Sequence, residues 1–572
     1  MALSIKVVRK IFHFSYINAV IAFTLSVAKV ESSESFNPKI SQIFFLIQNG
    51  NIGKAIDLYN QEYAKTGKHN FDLLQDIGIN LLEIGSKSRD SETKLLSLFG
   101  AGISLNEKSL HILQNGIQSS QPQHQIVSLN FLSRYHHEDA YRAIQLGLRS
   151  NFLPVRLEAA FHLCNSKSKS AFAQTESLMH KIPTVLVSLF PQFYAAIGND
   201  QSIRILKQLM NHSVKEARIE SIQSAVKYQR DELLPTIRIL STHHDPAEQE
   251  ACAYALGQFH DNNSLPRLQQ LAQSKSMHVK LAALNTLYQM GKREAKSPII
   301  EEALKENPFA INLLGNIADT EDLLFTLSMS DNLHTRINAT LALLAHADPR
   351  CLKPLCEILI RDSRDLAFTP VSSLGKSLQA IKVIPSASQN LKDTPIALEL
   401  SLSQREAAVI KAGDLKEKYF LHLASIIFDC KQNDLAPVVI RLLENMQTKN
   451  SIDLLKTYSQ KAGAPLIRNY CNLALYRLGE KGPYFDNLKS WILSKQRVDL
   501  IRFRPFVPLE MRSASASYQL TPDETSRLLV ESFESFLQVQ DDRGIDVLLN
   551  TIRNGNRNNK YVLAGLLMRA TL

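Results

Sequence analysis

Two pairs of adjacent histidines are the side chains in this sequence that most resemble metal ligands. They are His136-His137 and His243-His244. Imidazole nitrogens bind zinc, but a zinc site also needs further ligands at characteristic spacings. Glu138 follows the first pair, and no Cys-x-x-Cys or His-Glu-x-x-His motif accompanies either pair. Both pairs fall in predicted turns, so we interpret them as solvated turn residues and predict no metal site and no cofactor.

Nucleophiles and phosphate-binding loops are the second kind of chemistry to consider. The sequence has no Gly-x-Ser-x-Gly nucleophile elbow, and Gly50 and Gly53-Lys54 are too closely spaced for a phosphate loop. Catalysis requires convergent polar groups in a shielded pocket. We therefore predict that the protein is not an enzyme. The alternative is a hydrolase or lyase site assembled in the irregular C-terminal half.

The six cysteines are candidates for disulfides if the chain is exported. Cys252 and Cys471 occupy a small-residue position of the repeat described below, and Cys164 lies on the following turn, where packing explains it. Cys351 and Cys356 lie five positions apart, a helical spacing that does not readily bring Cα atoms within the ~7 Å that a bridge needs. The sequence leaves open whether any disulfide forms.

A repeat of about 31 residues runs from roughly His124 to Ala347, and both histidine pairs lie within it. Its template is Val155-Arg156 followed by Ala159 and Leu163, at offsets that lie on one face of a helix. Further copies start at residues 124, 186, 217, 248, 279 and 310, after a shortened step at 335, and far downstream at 467. One helical hairpin cannot bury its apolar stripe alone, so successive hairpins must stack.

A second helix with a proline near its start follows several templates. The prolines are Pro235, Pro266, Pro298 and Pro354. Proline fits the first turn of a helix because the amide that it lacks has no intrahelical partner there. The unit is therefore a helix, a turn, a second helix and a short link.

The unit resembles the HEAT-repeat family. Val155-Arg156 with Ala159-Ala160 matches the hydrophobic residue, Arg and Ala-Ala of the family's second helix, and Ala255-Leu256-Gly257 matches its Ala-Leu-Gly. Gln249 departs from the pattern because the family has a basic residue there. The resemblance implies an all-α fold, a right-handed α-α superhelix, whose surface binds other macromolecules.

A basic residue recurs at the second position of the template. We call this set the basic ladder; it comprises Arg156, Arg218, Lys280, Arg336 and Arg468. Regularly spaced cations can neutralise an acidic protein, a glycan or a nucleic-acid backbone. Alternatively, each side chain binds a carboxylate or carbonyl of a neighbouring hairpin. Aromatic residues that would stack on unpaired bases are not interleaved with the ladder.

The N-terminus has the features of a secretory signal. Lys6, Arg9 and Lys10 precede an apolar stretch over residues 17–27, and small residues lead up to Ala28. We predict export with cleavage after Ala28. The alternatives are an uncleaved N-terminal anchor and a buried amphipathic helix.

The remaining sequence divides by pattern into regions. Helical patterning with a tetratricopeptide-like stretch at Gly53 to Tyr59 precedes the repeats, and Pro370, Pro385 and Pro395 interrupt the register after them. The predicted regions are a signal peptide (1–28), an N-terminal TPR-like or capping region (37–120), HEAT-like repeats (121–362), an irregular linker or hinge (363–403), a helical region with a further HEAT-like hairpin (404–499), and an extended segment with a C-terminal helical cap (500–572).

These observations favour a non-catalytic protein-binding scaffold of the exported compartment, periplasmic or secreted. It resembles an exported HEAT-repeat protein of the bacterial type. Protein partners are expected, nucleic acid is disfavoured, and membrane contact is expected only through an uncleaved leader. Binding of an anionic polymer or nucleic acid through the basic ladder is the alternative from another class, and the net charge of +10 supports it only weakly.

Overall fold

The computed structural model describes residues 38–166, 170–360, 366–385, 395–501, 524–539 and 541–571. These residues form thirty α-helices, short 3₁₀ turns and one two-stranded sheet. The predicted all-α, right-handed α-α superhelix is confirmed. Within the described ranges, no helix is both long and apolar enough to span a bilayer. The predicted signal peptide and most of the predicted extended segment from residue 500 to 511 lie outside these ranges.

The N-terminal region is helical, as its pattern indicates. Asn70 and Asp90 start two of its helices by accepting hydrogen bonds from the backbone N–H groups of Leu73 and Thr93. The helices are α1 (Pro38–Gln48), α2 (Ile52–Thr66), α3 (Phe71–Ser86), α4 (Ser91–Ser104) and α5 (Leu110–Ile117).

The predicted repeat region forms a regular series of hairpins. Its helices are α6 (Pro122–Leu132), α7 (Glu138–Gly147), α8 (Leu153–Asn165), α9 (Ala171–Met179), α10 (Pro191–Ile197), α11 (Asp200–Met210), α12 (Lys215–Lys227), α13 (Leu234–Leu240), α14 (Pro246–Gln258), α15 (Leu265–Leu271), α16 (Met277–Gln289), α17 (Lys296–Leu304), α18 (Pro308–Leu314), α19 (Glu321–Leu327), α20 (Leu333–Ala345) and α21 (Leu352–Ile360).

Proline and capping residues determine where these helices begin. Pro235 and Pro266 lie in the first turns of α13 and α15, as predicted. The template copy that starts at residue 186 begins in a 3₁₀ turn, Thr184–Leu189. The α-helix starts only after this turn, at Pro191. The 3₁₀ turns are Glu107–Ser109, Thr184–Leu189, Asp231–Leu233, Asn262–Ser264, Arg293–Ala295 and Pro349–Cys351.

An antiparallel β-hairpin follows α21. Its strands are β1 (Leu366–Ser372) and β2 (Gln379–Pro385), and Thr369 pairs with Lys382. Phe368, Ile381 and Val383 pack with Ile337 and Ile358 into a small apolar cluster at the base of the hairpin. The segment 363–403, which the sequence indicated as a linker or hinge, therefore contains a packed hairpin.

The C-terminal part returns to helical hairpins. Its helices are α22 (Pro395–Ala412), α23 (Glu417–Asp429), α24 (Ala436–Met446), α25 (Lys449–Gln460), α26 (Pro465–Arg477), α27 (Tyr484–Ser494), α28 (Glu524–Gln538), α29 (Asp542–Asn554) and α30 (Asn559–Ala570). The isolated template at Ile467-Arg468 lies in α26, where Cys471 fills the small-residue position and is fully buried.

The helices form two layers. One layer contacts its neighbours continuously from repeat to repeat, and we call its members the inner helices. They are α4, α6, α8, α10, α12, α14, α16, α18, α20, α22, α24, α26, α28 and α30. The remaining outer helices contact one another less. In a curved two-layer array the inner layer lies on the shorter arc, so its helices pack more closely.

The inner layer closes on itself, because α30 packs extensively against α4 and α3. We call this contact between the two ends of the array the seam. The described helices therefore form a ring, and one apolar core runs through it from Ile43 to Met568.

Two glycines allow the close approach of helices at the seam. A Cβ atom placed on Gly565 of α30 would lie 2.1 Å from the carbonyl oxygen of Gly100 in α4. A Cβ atom on Gly100 would lie 2.2 Å from the carbonyl oxygen of Tyr561. Both distances are too short for any side chain, so the crossing of α4 and α30 requires glycine at both positions.

Polar contacts surround this crossing. Arg553 lies 3.1 Å from Asp57, and the side chain of Gln75 donates to the carbonyl oxygen of Thr571 at 3.1 Å. These contacts join residues almost 500 positions apart in the sequence. Closure is therefore a contact between distant parts of the chain, which a local pattern does not indicate.

Candidate binding surface

The β-hairpin lies against the inner helices from α20 back to α12, and Glu250 of α14 holds its tip. The Glu250 side chain is 0% exposed. Its carboxylate accepts hydrogen bonds from the backbone N–H groups of Gly375 at 2.9 Å and Ser377 at 3.3 Å. The hydroxyls of Ser373 and Ser377 donate to the same carboxylate. A buried carboxylate needs such donors to replace water, and here all of them come from one turn.

Asn338 of α20 binds the backbone of β2. Its side-chain oxygen accepts from the N–H of Ile381 at 2.8 Å, and its side-chain amide donates to the carbonyl oxygen of Ile381 at 2.9 Å. This paired geometry reproduces the hydrogen bonds that a neighbouring strand would make. Two residues along, the N–H of Val383 donates to Nδ1 of His334 at 3.2 Å.

The hairpin tip also contacts α12 and approaches α14 closely. Gln223 donates to the carbonyl oxygen of Gly375 at 2.8 Å, and Lys376 forms an ion pair with Glu220. A Cβ atom on Gly375 would lie 2.5 Å from the carbonyl oxygen of Ala247. Glycine is therefore required at the position where the tip meets the helix.

The chemistry of this surface is recognition of extended backbone. Side chains from three inner helices, Gln223, Glu250 and Asn338, pair with main-chain N–H and C=O groups. Such contacts hold a strand without depending on the identity of its side chains. They bind and orient a chain.

Most of the basic ladder has partners within the protein. Arg218 contacts Glu248, whose side chain is 1% exposed, and donates to the carbonyl oxygen of His212 at 2.6 Å. Lys280 lies 3.0 Å from Glu302 and holds the pKa of that carboxyl below its usual range by hydrogen bonding. Arg156 donates to the carbonyl oxygen of Ser150 at 2.7 Å.

Two ladder residues differ from these three. Arg336 and Arg468 are half-buried, and their side chains have no hydrogen bond or ion pair with any described residue. The structure does not bring the five ladder residues together into one site. Because carboxylates neutralise Arg218 and Lys280, the ladder is not a continuous cationic track.

The histidine pairs lie in loops, as their sequence context indicates. His137 accepts a hydrogen bond from the N–H of Asp139 and starts α7, and Nδ1 of His243 lies 2.9 Å from Glu248. His136 and His244 are exposed. Among the described residues, no group of three His, Cys, Asp or Glu side chains is arranged to hold a metal ion.

The cysteines are free thiols, and most are buried. Burial raises the pKa of the Cys164 and Cys351 thiols to about 12 and that of Cys356 to about 11. Cys252 is fully buried and its pKa is also raised by desolvation. The raised pKa values favour the protonated form of these thiols near neutral pH, and the thiolate is the nucleophilic form.

Sequence reasoning missed the residues that hold the hairpin. Glu250 and Asn338 occupy positions in otherwise ordinary inner helices, and nothing in the template distinguishes them. The hairpin itself left a signal, because Phe368, Ile381 and Val383 lie within alternating stretches on either side of Gly375. Pro370 concealed it, since proline is tolerated only where a strand needs no N–H donor.

Comparison with known proteins identifies one part of this architecture. Residues 233–311 match the family model of HEAT repeats. This stretch covers α13 to α17 and most of α18, where the predicted template is most regular. These residues are thus similar to HEAT repeats. No curated protein matches the chain.

Solved structures of the karyopherin Kap121p are similar to the chain at low identity. Kap121p bound to the extreme C-terminus of the protein phosphatase Cdc14p is 12% identical, with a TM-score of 0.40 over 92% of this chain and 62% of that chain. Kap121p alone is 12% identical, with a TM-score of 0.33 over 93% and 70% of the two chains. Kap121p bound to RanGTP is 12% identical, with a TM-score of 0.28 over 93% and 63%.

Proposed function

We propose that the protein is a non-catalytic scaffold that binds protein partners through its inner helices. One observation carries the proposal: Asn338 on this surface pairs with both backbone groups of Ile381 in an extended segment, and Glu250 binds two further amides. A surface with this chemistry is suited to extended protein segments, because every such segment offers the same main-chain donors and acceptors.

Some polar side chains of the inner helices make no described hydrogen bond to the hairpin. Asn285 of α16 is half-buried and occupies the template position that Gln223 occupies in α12. Gln223 binds the carbonyl oxygen of Gly375, so an amide side chain at this position can reach extended backbone. The proposal includes neither catalysis nor a bound cofactor, because the recurring positions of the template are occupied by side chains that pack one hairpin against the next.

Site-specific photo-crosslinking tests the binding role. A photo-reactive residue replaces Asn285, and the matched control carries it at Gln269, an exposed residue of the outer helix α15. We expect an adduct with one recurring partner segment at position 285, and we expect a synthetic copy of that segment to compete it away. The same adducts at both positions, or no adduct with another protein at position 285, would contradict the proposal.

The compartment is a separate part of the proposal. The charged start, the apolar stretch over residues 17–27 and the small residues before Ala28 support export to a periplasmic or secreted location. Mass spectrometry of the protein isolated from its native host is expected to give Lys29 as the first residue. An intact leader on protein recovered from the cytoplasm would overturn this assignment.

A further inference from the structure

A cleft on the outer side of the ring has four basic residues among the described residues that line it. It has a volume of about 740 Å³ and lies between the outer helices α7 and α9 and the loop before α8. Its basic residues are Arg142, Arg149, Arg156 and Lys181. None of the described residues that line it is Asp or Glu. A cleft lined by charge of one sign concentrates ligands of the opposite sign.

Two of these cations have no partner in the described part of the chain. Arg149 and Lys181 are exposed, and no hydrogen bond or ion pair involves their side chains. Arg142 makes only exposed ion pairs within its own helix, at 3.5 Å to Asp139 and 3.8 Å to Glu138. Exposed pairs of this kind contribute little and are easily exchanged for another anion.

Arg156 is the residue of the basic ladder that lines the cleft. It donates a hydrogen bond to the carbonyl oxygen of Ser150, and a guanidinium has five N–H donors in total. Arg218 and Lys280 occupy the same template position but contact the carboxylates of Glu248 and Glu302. In the cleft, therefore, no described carboxylate neutralises the positive charge of the ladder residue.

The other lining residues indicate what kind of anion fits. Leu146, Leu148 and Leu178 provide apolar contact, while Asn151 and Gln174 provide amides that pair with peptide groups. No aromatic ring is among the described lining residues, so unpaired bases have nothing to stack on. The combination of cations, amides and leucines suits a peptide with carboxylates beside apolar side chains.

We infer that this cleft binds an acidic segment of a protein partner. The inference rests on the proposed function in that the ligand belongs to a protein, but the cleft is distinct from the inner helices. Carboxylates of the segment pair with Arg149 and Lys181, and its apolar side chains contact the leucines. Its affinity decreases with salt because the cations are exposed.

Fluorescence anisotropy with a labelled eight-residue peptide of alternating Glu and Leu tests the inference on the whole chain. The matched probe has Gln in place of every Glu. We expect the Glu peptide to bind at least about tenfold more tightly than the Gln peptide, and raising NaCl from about 50 to about 300 mM to weaken it severalfold.

Charge reversal locates the binding site. The double variant Arg149→Glu/Lys181→Glu is expected to weaken binding of the Glu peptide at least about tenfold. The control Lys275→Glu/Arg293→Glu reverses two exposed cations on other repeats, and we expect an effect within about twofold. All four side chains are exposed, so the variants are expected to fold, which circular dichroism checks.

Several results would overturn the inference. Equal affinity for the Gln peptide, or unchanged affinity in the Arg149/Lys181 variant, would show that the cleft does not select carboxylates. Binding of a heparin oligosaccharide or of inorganic phosphate in the cleft, without binding of the Glu peptide, would assign it to another anion. The scaffold proposal is tested independently, because its experiment measures the crosslinked adduct at position 285 on the inner helices.

Discussion

The repeat region and the seam are built from the same kind of helix but are held together differently. Between neighbouring repeats, contacts join residues about one period apart; Thr286, for example, donates to the carbonyl oxygen of Ala253 at 2.9 Å. At the seam, the backbone of Gly565 lies directly on that of Gly100. Neighbouring repeats therefore need small and apolar residues in general, whereas closure of the ring needs two particular glycines.

The largest expected effect comes from adding one methyl group at the seam. Gly565→Ala places a Cβ atom against the carbonyl oxygen of Gly100, and neither backbone can move without separating α4 from α30. We expect a loss of about 2 to 4 kcal/mol in the free energy of unfolding, and an increase in the radius of gyration measured by small-angle scattering. An unchanged radius and stability would mean that the ring does not depend on this crossing.

The control for this substitution is Gly53→Ala. Gly53 also lies in a helix beside the other end of the chain, but its nearest neighbour is the flexible side chain of Arg553, at 3.2 Å. We expect a change within about 1 kcal/mol, because the higher helix propensity of alanine offsets a small shift of the arginine.

A second substitution tests the contact between repeats. Arg218→Ala leaves the buried carboxylate of Glu248 with the imidazole of His243 as its remaining side-chain partner, and we expect denaturant titration to show a loss of about 2 to 3 kcal/mol. Arg468→Ala removes a ladder residue that has no described partner, and its expected effect is within about 0.5 kcal/mol. Equal losses in the two variants would contradict a structural role for Arg218.

The third prediction concerns the hairpin and is local. Glu250→Ala removes the acceptor for the amides of Gly375 and Ser377, so we expect their hydrogen exchange to become faster by about tenfold or more, while global stability falls by about 1 to 3 kcal/mol. Glu220→Ala removes only the ion pair with Lys376. Exchange that rises equally in both variants would show that Glu250 does not hold the tip.

The smallest effect is a difference in pH dependence between the two regions. At the seam, desolvation raises the pKa of Asp546, which lies near Tyr59 of α2. A carboxyl with a raised folded pKa weakens folding above that pKa, and the weakening disappears as the pH falls towards the unfolded value near 4. Within the repeats, hydrogen bonds from Arg238 hold the pKa of Asp261 below its usual range. Its contribution is present above an unfolded pKa of about 4 and is lost below it.

Asp546→Asn and Asp261→Asn measure this contrast. As the pH falls from neutral towards about 4, the Asp546 carboxyl takes up a proton, and its contribution to the melting temperature of the wild type is expected to rise slightly. Asp546→Asn is expected to be slightly more stable at neutral pH and to show less of this rise. Asp261→Asn is expected to be less stable at neutral pH. Identical pH profiles for the three proteins would contradict the assignment.

The sequence predicts the repeats well because their contacts are local. Val155, Ala159 and Leu163 are fully buried on α8, and the template at residue 310 lies on α18, as the period predicts. The seam was not predicted, since Gly100 and Gly565 lie in unremarkable helices and their contact spans most of the chain. The division into regions and the leader remain predictions.

The binding surface was less accessible to sequence reasoning than the fold. The basic ladder follows the period, yet its members differ in function because their partners, Glu248 for Arg218 and Glu302 for Lys280, lie at different offsets. Glu250 and Asn338 bind a hairpin that is distant in sequence, so no spacing identifies them. Which polar residue acts at a surface depends on what the fold places opposite it.

Closure of the ring has a mechanical consequence. An open solenoid is elastic, because a small rotation in each repeat adds up to a bend or a stretch of the whole array that can fit a partner. A band joined at Gly100 and Gly565 cannot change its pitch without breaking that joint. A partner that binds the inner helices, as proposed above, would therefore have to fit a surface of fixed curvature, and the stiffness of the ring would contribute to selectivity.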